Sequence, residues 1–175
     1  MAYQYVREPL LPEEADALAN ACETTEERLV VWTLLDTGLR VSELCSLTRQ
    51  NISWQQKEVR VKGKGGPYGK RTKQRVIPMS PRVRTILEPY FTLNETWFVK
   101  TRQVQNIVKR VADRAMVSKE VTPHVLRHTF ATTALQKGIS LAALRKMLGH
   151  DRLETTAIYL NLTDEHVRQE FEAKW

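Results

Sequence analysis

A chain of 175 residues, 42% hydrophobic and 27% charged, has the size and balance of one globular domain with its own core. Its two cysteines, Cys22 and Cys45, form no CxxC pair and fall in apolar helical patterns, which reads as buried free thiols in a reducing compartment rather than a disulfide. Leu29 to Leu35 is typical of the short apolar runs, and MAYQYVREPL lacks a basic-then-apolar signal, so neither a membrane span nor an export signal is read. The net charge of +7 favours a polyanion, since Lys and Arg on phosphates release condensed counterions; charge alone also fits a merely basic surface.

Pro9 to Thr24 is predicted as an opening helix, with Pro12 in its first turn and Glu13, Glu14 and Asp16 at the positive end of its dipole. A second helix, Glu26 to Asp36, carries Leu29, Val30, Trp32, Thr33 and Leu34 and is expected to be buried on most sides. Gly38 can end it in the left-handed conformation. A short helix follows at Val41 to Leu47, which puts Arg40 at a junction between two rigid elements. Arg40 could simply pair with Glu43, three residues on along the same face, or form half of a phosphate clamp with a second fixed arginine.

From Asn51 to Met79 the apolar period changes to two. Ile52 with Trp54, Val59 with Val61, and Val76 with Pro78 suggest three short antiparallel strands, with Gln55-Gln56-Lys57 as the first turn. The second connection, KGKGGPYGKRTK, holds four glycines and five basic residues between Lys62 and Lys73. A P-loop is excluded there, because Lys64 and Arg71 stand where its first glycine and its Ser or Thr are needed. A plain solvated turn is one reading; a basic hairpin leaning on a DNA backbone through Lys62, Lys70, Arg71 and Lys73 is the other.

Pro81 to Thr92 is a predicted helix with Val83, Ile86, Leu87 and Tyr90 on its apolar side. Another runs from Thr101 to about Met116, where Val104, Ile107, Val108, Val111, Ala112 and Ala115 make one stripe. Arg102, Lys109, Arg110 and Arg114 fall mostly off that stripe, as a solvated face or, with Arg110 foremost, as a DNA contact.

Thr122 caps the next helix and Pro123 occupies its first turn, so His124 and Arg127 share a face where the helix terminus also favours phosphate. Leu126, Phe130, Thr133 and Ala134 anchor the opposite side before Gly138. Ser140 caps Leu141 to Leu148, Gly149 ends that helix, and His150 follows. Leu153 to Leu160 is a further predicted helix, with Tyr159 near its end.

His124, Arg127, His150 and Tyr159 are separated by 3, 23 and 9 residues, and Arg40 and Lys64 by 24. TGLRVSEL at Thr37 to Leu44, then HVLRHTFAT, LGH and TTAIYLNL, resemble the two arginine boxes of the tyrosine recombinases, also called the phage integrase family, most closely the Xer-type branch. The resemblance covers nearly the whole chain. It implies a mostly helical α+β catalytic domain with a small three-stranded antiparallel sheet, acting on double-stranded DNA in the cytoplasm, nucleoid-associated in a prokaryote.

The chemistry stands beside that likeness. An enzyme that breaks and remakes a phosphodiester without losing its energy can attack phosphorus with a tyrosine oxygen and store the bond as a 3′-phosphotyrosyl ester. Arg40 and Arg127 suit the two non-bridging oxygens, and His150 can add a third hydrogen bond. Tyrosine has a pKa of about 10, so Tyr159 is helped by a base, for which His124 is the candidate. The resemblance implies Lys64 as general acid for the departing 5′-oxygen, with Lys62, Lys70 and Lys73 as close competitors. It also implies Glu43 as the acidic residue orienting Arg40. No metal or cofactor is expected, because arginines supply the needed charge.

By the same resemblance residues 1–175 are expected to be a single catalytic domain, with a catalytic core at 1–162 and a tail helix at 163–175, and without the family's N-terminal core-binding domain, either as a natural single-domain member or as a fragment. Val167, Phe171 and Trp175 make an apolar stripe on the tail, which docks on its own domain or, as in the family, exchanges between subunits of a tetramer on DNA that are monomers or dimers when free. Two other functions remain open on the sequence: a DNA-binding regulator without turnover, and type IB topoisomerase-like relaxation.

Overall fold

The computed structural model describes residues 8–65, 71–149 and 172. In chain order the elements are α1 (Pro12–Asn20), α2 (Thr25–Thr37), α3 (Val41–Cys45), a 3₁₀ turn (Arg49–Asn51), β1 (Ile52–Ser53), β2 (Glu58–Gly65), β3 (Arg71–Pro78), α4 (Pro81–Leu93), α5 (Thr101–Arg114), α6 (Pro123–Gln136) and α7 (Leu141–Leu148).

The helix α2 is the centre of the packing. Thr24 Oγ1 accepts from Glu27 N at 3.2 Å, while Glu27 Oε2 accepts from Thr24 N at 3.4 Å, the reciprocal bonds of a capping box. Leu29, Val30, Val31, Thr33, Leu34 and Leu35 are all buried, so the helix has almost no wet side, as its composition predicts. It packs against α1, α4, α5 and α6. Glu27 is buried as well, and Arg110 Nε at 3.0 Å and Arg114 Nη1 at 2.9 Å donate to its carboxylate. Burial alone would raise that carboxyl, but the bonds from Arg114, the backbone and Arg110 bring it down to about 2. Arg110, expected to face DNA, thus also ties α5 to α2.

The antiparallel sheet has the order β1-β2-β3. Its β2–β3 ladder runs from Glu58↔Pro78 to Gly65↔Arg71, farther than the sequence suggests, so residues 62–65 and 71–73 of the lysine-rich connection are paired strand. The core-facing phase of β3 also differs from expectation. Val76 is 44% exposed whereas Ile77 and Arg75 are buried, because the inward positions opposite Val59 and Val61 are Ile77 and Arg75. An arginine can occupy such a position only with its charge matched inside.

Other elements end sooner than predicted. The opening helix covers only Pro12–Asn20, α3 stops at Cys45, and α5 at Arg114, with Met116 in the left-handed region at φ 53°. Cys22 and Cys45 are both free, the first buried and the second half-buried. One large apolar cluster runs from Leu10 to Leu126, and a smaller one, Phe130, Ala131, Ala134, Leu144 and Leu148, joins α6 to α7. No helix among the described residues is long and apolar enough to cross a membrane.

Gly38 closes α2 at φ 61°, and a Cβ there would stand 2.3 Å from Phe130 Cδ1. Both the left-handed backbone and the contact with α6 require glycine. Gly38→Ala is expected to cost roughly 2–4 kcal/mol, a fall in melting temperature of about 5–15 °C for a domain of this size. A thermal scan showing less than about 2 °C of change would contradict this packing.

Candidate active site

Arg40 follows the turn at Gly38 and Leu39 and serves as N-cap of α3. Its backbone N–H donates to Glu43 Oε2 at 2.8 Å and its Nη1 to Glu43 Oε1 at 3.1 Å, while the side chain stays 45% exposed. Arg40 thus pairs with Glu43 while much of its side chain remains exposed. Glu43 is buried and also accepts a fork from Arg75, Nη1 to Oε1 at 2.8 Å and Nη2 to Oε2 at 2.7 Å. Burial would raise the Glu43 carboxyl, but the hydrogen bonds and charge of Arg75, followed by Arg40, outweigh it and hold the group below its usual range. Glu43 thus stays ionised and fixes two guanidiniums at once.

Arg75 reaches in a second direction, its Nε donating to Met147 O at 2.7 Å. Arg127, also buried, donates through Nη2 to Leu148 O at 2.7 Å and through Nη1 to Gly38 O. The last carbonyls of α7 are therefore held by two cations, the favourable arrangement at the negative end of a helix dipole. Gly149 ends α7 at φ 69°, and a Cβ there would meet Arg75 Cδ at 2.9 Å. The arginine boxes, 87 positions apart between Arg40 and Arg127, are brought side by side, since Arg127 is anchored on the carbonyl two residues before Arg40.

Thr122 Oγ1 caps α6 by accepting from Val125 N at 3.3 Å, as its sequence predicts. His124 is exposed on the first turn, and His128, one turn later, is buried. Their Nε2 atoms are 2.8 Å apart, with ring centroids at 4.4 Å and planes at 70°. Burial, then the neighbouring His124 and Arg127, push the His128 imidazole down to about 4. Arg75 and His128 are the two side chains here that the spacing of the boxes does not single out. The RH pair in HVLRHTFAT and the one-turn separation from His124 were the available signals for the second.

On the hairpin, Lys64 lies opposite Thr72, with Lys62 opposite Gln74 and Lys73 opposite Gly63. The sheet stands beside the arginine boxes, since β3 packs on α7 and β2 on α3. Lys62 is exposed, and Arg71 pairs with Gly65 at the end of the ladder. Lys70, His150, Tyr159 and the apolar stripe of the tail lie outside the described residues.

This architecture is that of tyrosine recombinase catalytic domains. It matches a crystal structure of XerA recombinase with a TM-score of 0.81 at 29% identity, covering 99% of this chain and 65% of that one. It also matches the catalytic domain of bacteriophage HP1 integrase, a likeness of fold, with a TM-score of 0.70 at 22% identity over 96% of this chain and 95% of that one. The chain belongs to the phage integrase family, whose sequence pattern it matches over residues 8–166. The tyrosine recombinase XerA of Thermococcus kodakarensis is 36% identical over 176 residues, 91% of this chain and 60% of that protein. The chain thus spans about three-fifths of the length of that relative.

The buried His128 makes stability depend on pH. In the unfolded chain it takes up a proton near 6.5, but in the fold only near 4. Between those values the unfolded state binds more protons, so the contribution is complete above about 6.5 and is lost as pH falls toward about 4. The loss reaches about 3 kcal/mol at roughly 1.4 kcal/mol per unit. Urea unfolding at neutral pH and at about pH 5 is expected to show this slope in the wild type and a flatter one in His128→Phe. Equal slopes would contradict a neutral His128.

Proposed function

We propose that this protein cleaves and rejoins DNA strands at specific sites through a 3′-phosphotyrosyl intermediate on Tyr159. The observation that carries the reading is the assembly of Arg40 and Arg127 about one turn of chain, with Glu43 keeping Arg40 in place. A guanidinium has five N–H donors in one plane. Two such groups facing a phosphodiester stabilise the charge that builds on its non-bridging oxygens as phosphorus becomes five-coordinate.

In the proposed sequence Tyr159 attacks phosphorus, its proton passes to His124, and the bond to the 5′-oxygen breaks. Lys64 gives that oxygen a proton, and His150 supports the charged centre with Arg40 and Arg127. The phosphotyrosyl bond keeps the energy of the broken one, so attack by a second 5′-hydroxyl rejoins strands without a cofactor. Lys62, Lys70, Arg71, Lys73 and the outward part of Arg110 are assigned to the DNA backbone, consistent with the net charge of +7. Residues 1–162 form the catalytic core in this reading, working in the cytoplasm near the nucleoid.

A nicked suicide duplex, selected from a random-sequence library by the protein's own attachment to it, tests the chemistry. The wild type is expected to form a covalent adduct through a 3′-phosphate, and Tyr159→Phe none. An adduct that survives in Tyr159→Phe, or its absence in the wild type, would refute the assignment.

We further propose a tetramer on DNA joined by exchange of the tail at residues 163–175, as the apolar positions Val167, Phe171 and Trp175 suggest. Removing Thr163 to Trp175 is then expected to weaken cooperative DNA binding more than cleavage at a single site. Gel-shift titrations with unchanged cooperativity would rule out the exchange.

A further inference from the structure

The base assigned to Tyr159 is half of a pair. His124 and His128 lie one turn apart on α6, and 2.8 Å between their Nε2 atoms requires one ring to donate and the other to accept. The two environments differ. His124 is exposed, whereas His128 is 6% exposed and adjoins Arg127 in sequence. Burial beside a cation penalises a second positive charge, so a proton shared by the pair belongs on His124.

On this geometry, and resting on the reading of His124 as the base, we infer that His128 is its positioning residue: His128 Nε2 accepts the His124 Nε2–H and thereby fixes His124 as the tautomer whose Nδ1 receives the tyrosine proton. The proton count closes. The Tyr159 O–H bond breaks, its proton joins His124 Nδ1, and the phenolic oxygen forms the bond to phosphorus. His124 then holds protons on both nitrogens, and its Nε2–H remains on His128. That bond is charge-assisted after the transfer and neutral before it, so His128 stabilises the imidazolium more than the resting ring. A buried acceptor behind a histidine base does what the carboxylate does in a serine protease triad, here without a charge of its own.

The fixed tautomer is directly observable. Nitrogen-15 spectra of the full chain at neutral pH are expected to show His124 protonated on Nε2 and bare on Nδ1; a proton on Nδ1 instead would overturn the inference. With the suicide duplex described above, His128→Phe is expected to slow adduct formation by about tenfold while leaving the duplex dissociation constant unchanged. His128→Gln, whose amide oxygen can accept the same N–H, is expected to recover much of the rate, a rescue that a filler of space would not show. A normal rate in His128→Phe with a slow His124→Ala would overturn the pairing alone. Normal rates in both would overturn the assignment of His124 and the pairing with it. Should His128→Phe melt early, the comparison rests on His128→Gln and the wild-type spectrum, and a Gln variant as slow as His124→Ala would count against the inference.

Discussion

The carboxylate of Glu43 is the interaction on which the rest of the site depends. It lies inside the domain and accepts from the Arg40 backbone, the Arg40 side chain and both terminal nitrogens of Arg75. A buried ion pair is a poor source of net stability, because desolvation cancels much of the attraction, but removing one partner strands the other at about 3–5 kcal/mol. Its value is therefore geometric. Arg75 cannot leave β3 without stranding Glu43, and Glu43 cannot turn without releasing Arg40.

The same economy of groups recurs at the end of α7. Arg75 and Arg127 each spend a donor on one of its last carbonyls, and Arg127 spends another on Gly38. Helix termini normally leave such carbonyls to water. Here they lock α7 to β3 and to α6, while Arg127 also locks α6 to the turn between α2 and α3. Four separate parts of the chain, β3, α6, α7 and that turn, thus share one frame, and in the proposed reaction such fixed placement is what lets cations act on a charge that exists only in the transition state.

Much of this was legible in the sequence because it is local. Thr122 and Ser140 cap helices they precede, Gly38 and Gly149 end helices they follow, and both arginine boxes carry contiguous patterns. Arg75 was not legible, since an arginine beside Val76 and Pro78 reads as the wet side of a strand. Only the register, and a partner 32 positions away, reveal that it points inward. His128 was hidden differently: it sits among Leu126, Phe130 and Ala131 on a helix buried on most sides, so its period says core and nothing of its bond to His124. The length of the hairpin ladder escaped because glycine and lysine carry little strand preference of their own.

The separations along the chain carry a last consequence, for folding. The contacts that bring these arginines together join residues 32, 72 and 89 positions apart. Each requires a long loop to be closed before any bond rewards it, whereas the helices need only neighbours. A growing chain on the ribosome can therefore carry well-formed α2, α3 and hairpin while Arg75 still lacks Met147 and Gly38 still lacks Arg127. The frame comes into being only when α6 and then α7 have been made and docked, so a truncated product that ends before α6 lacks the bond from Arg127 to Gly38 that holds the two arginine boxes together, and one that ends before α7 lacks the carbonyls that fix Arg75 and Arg127.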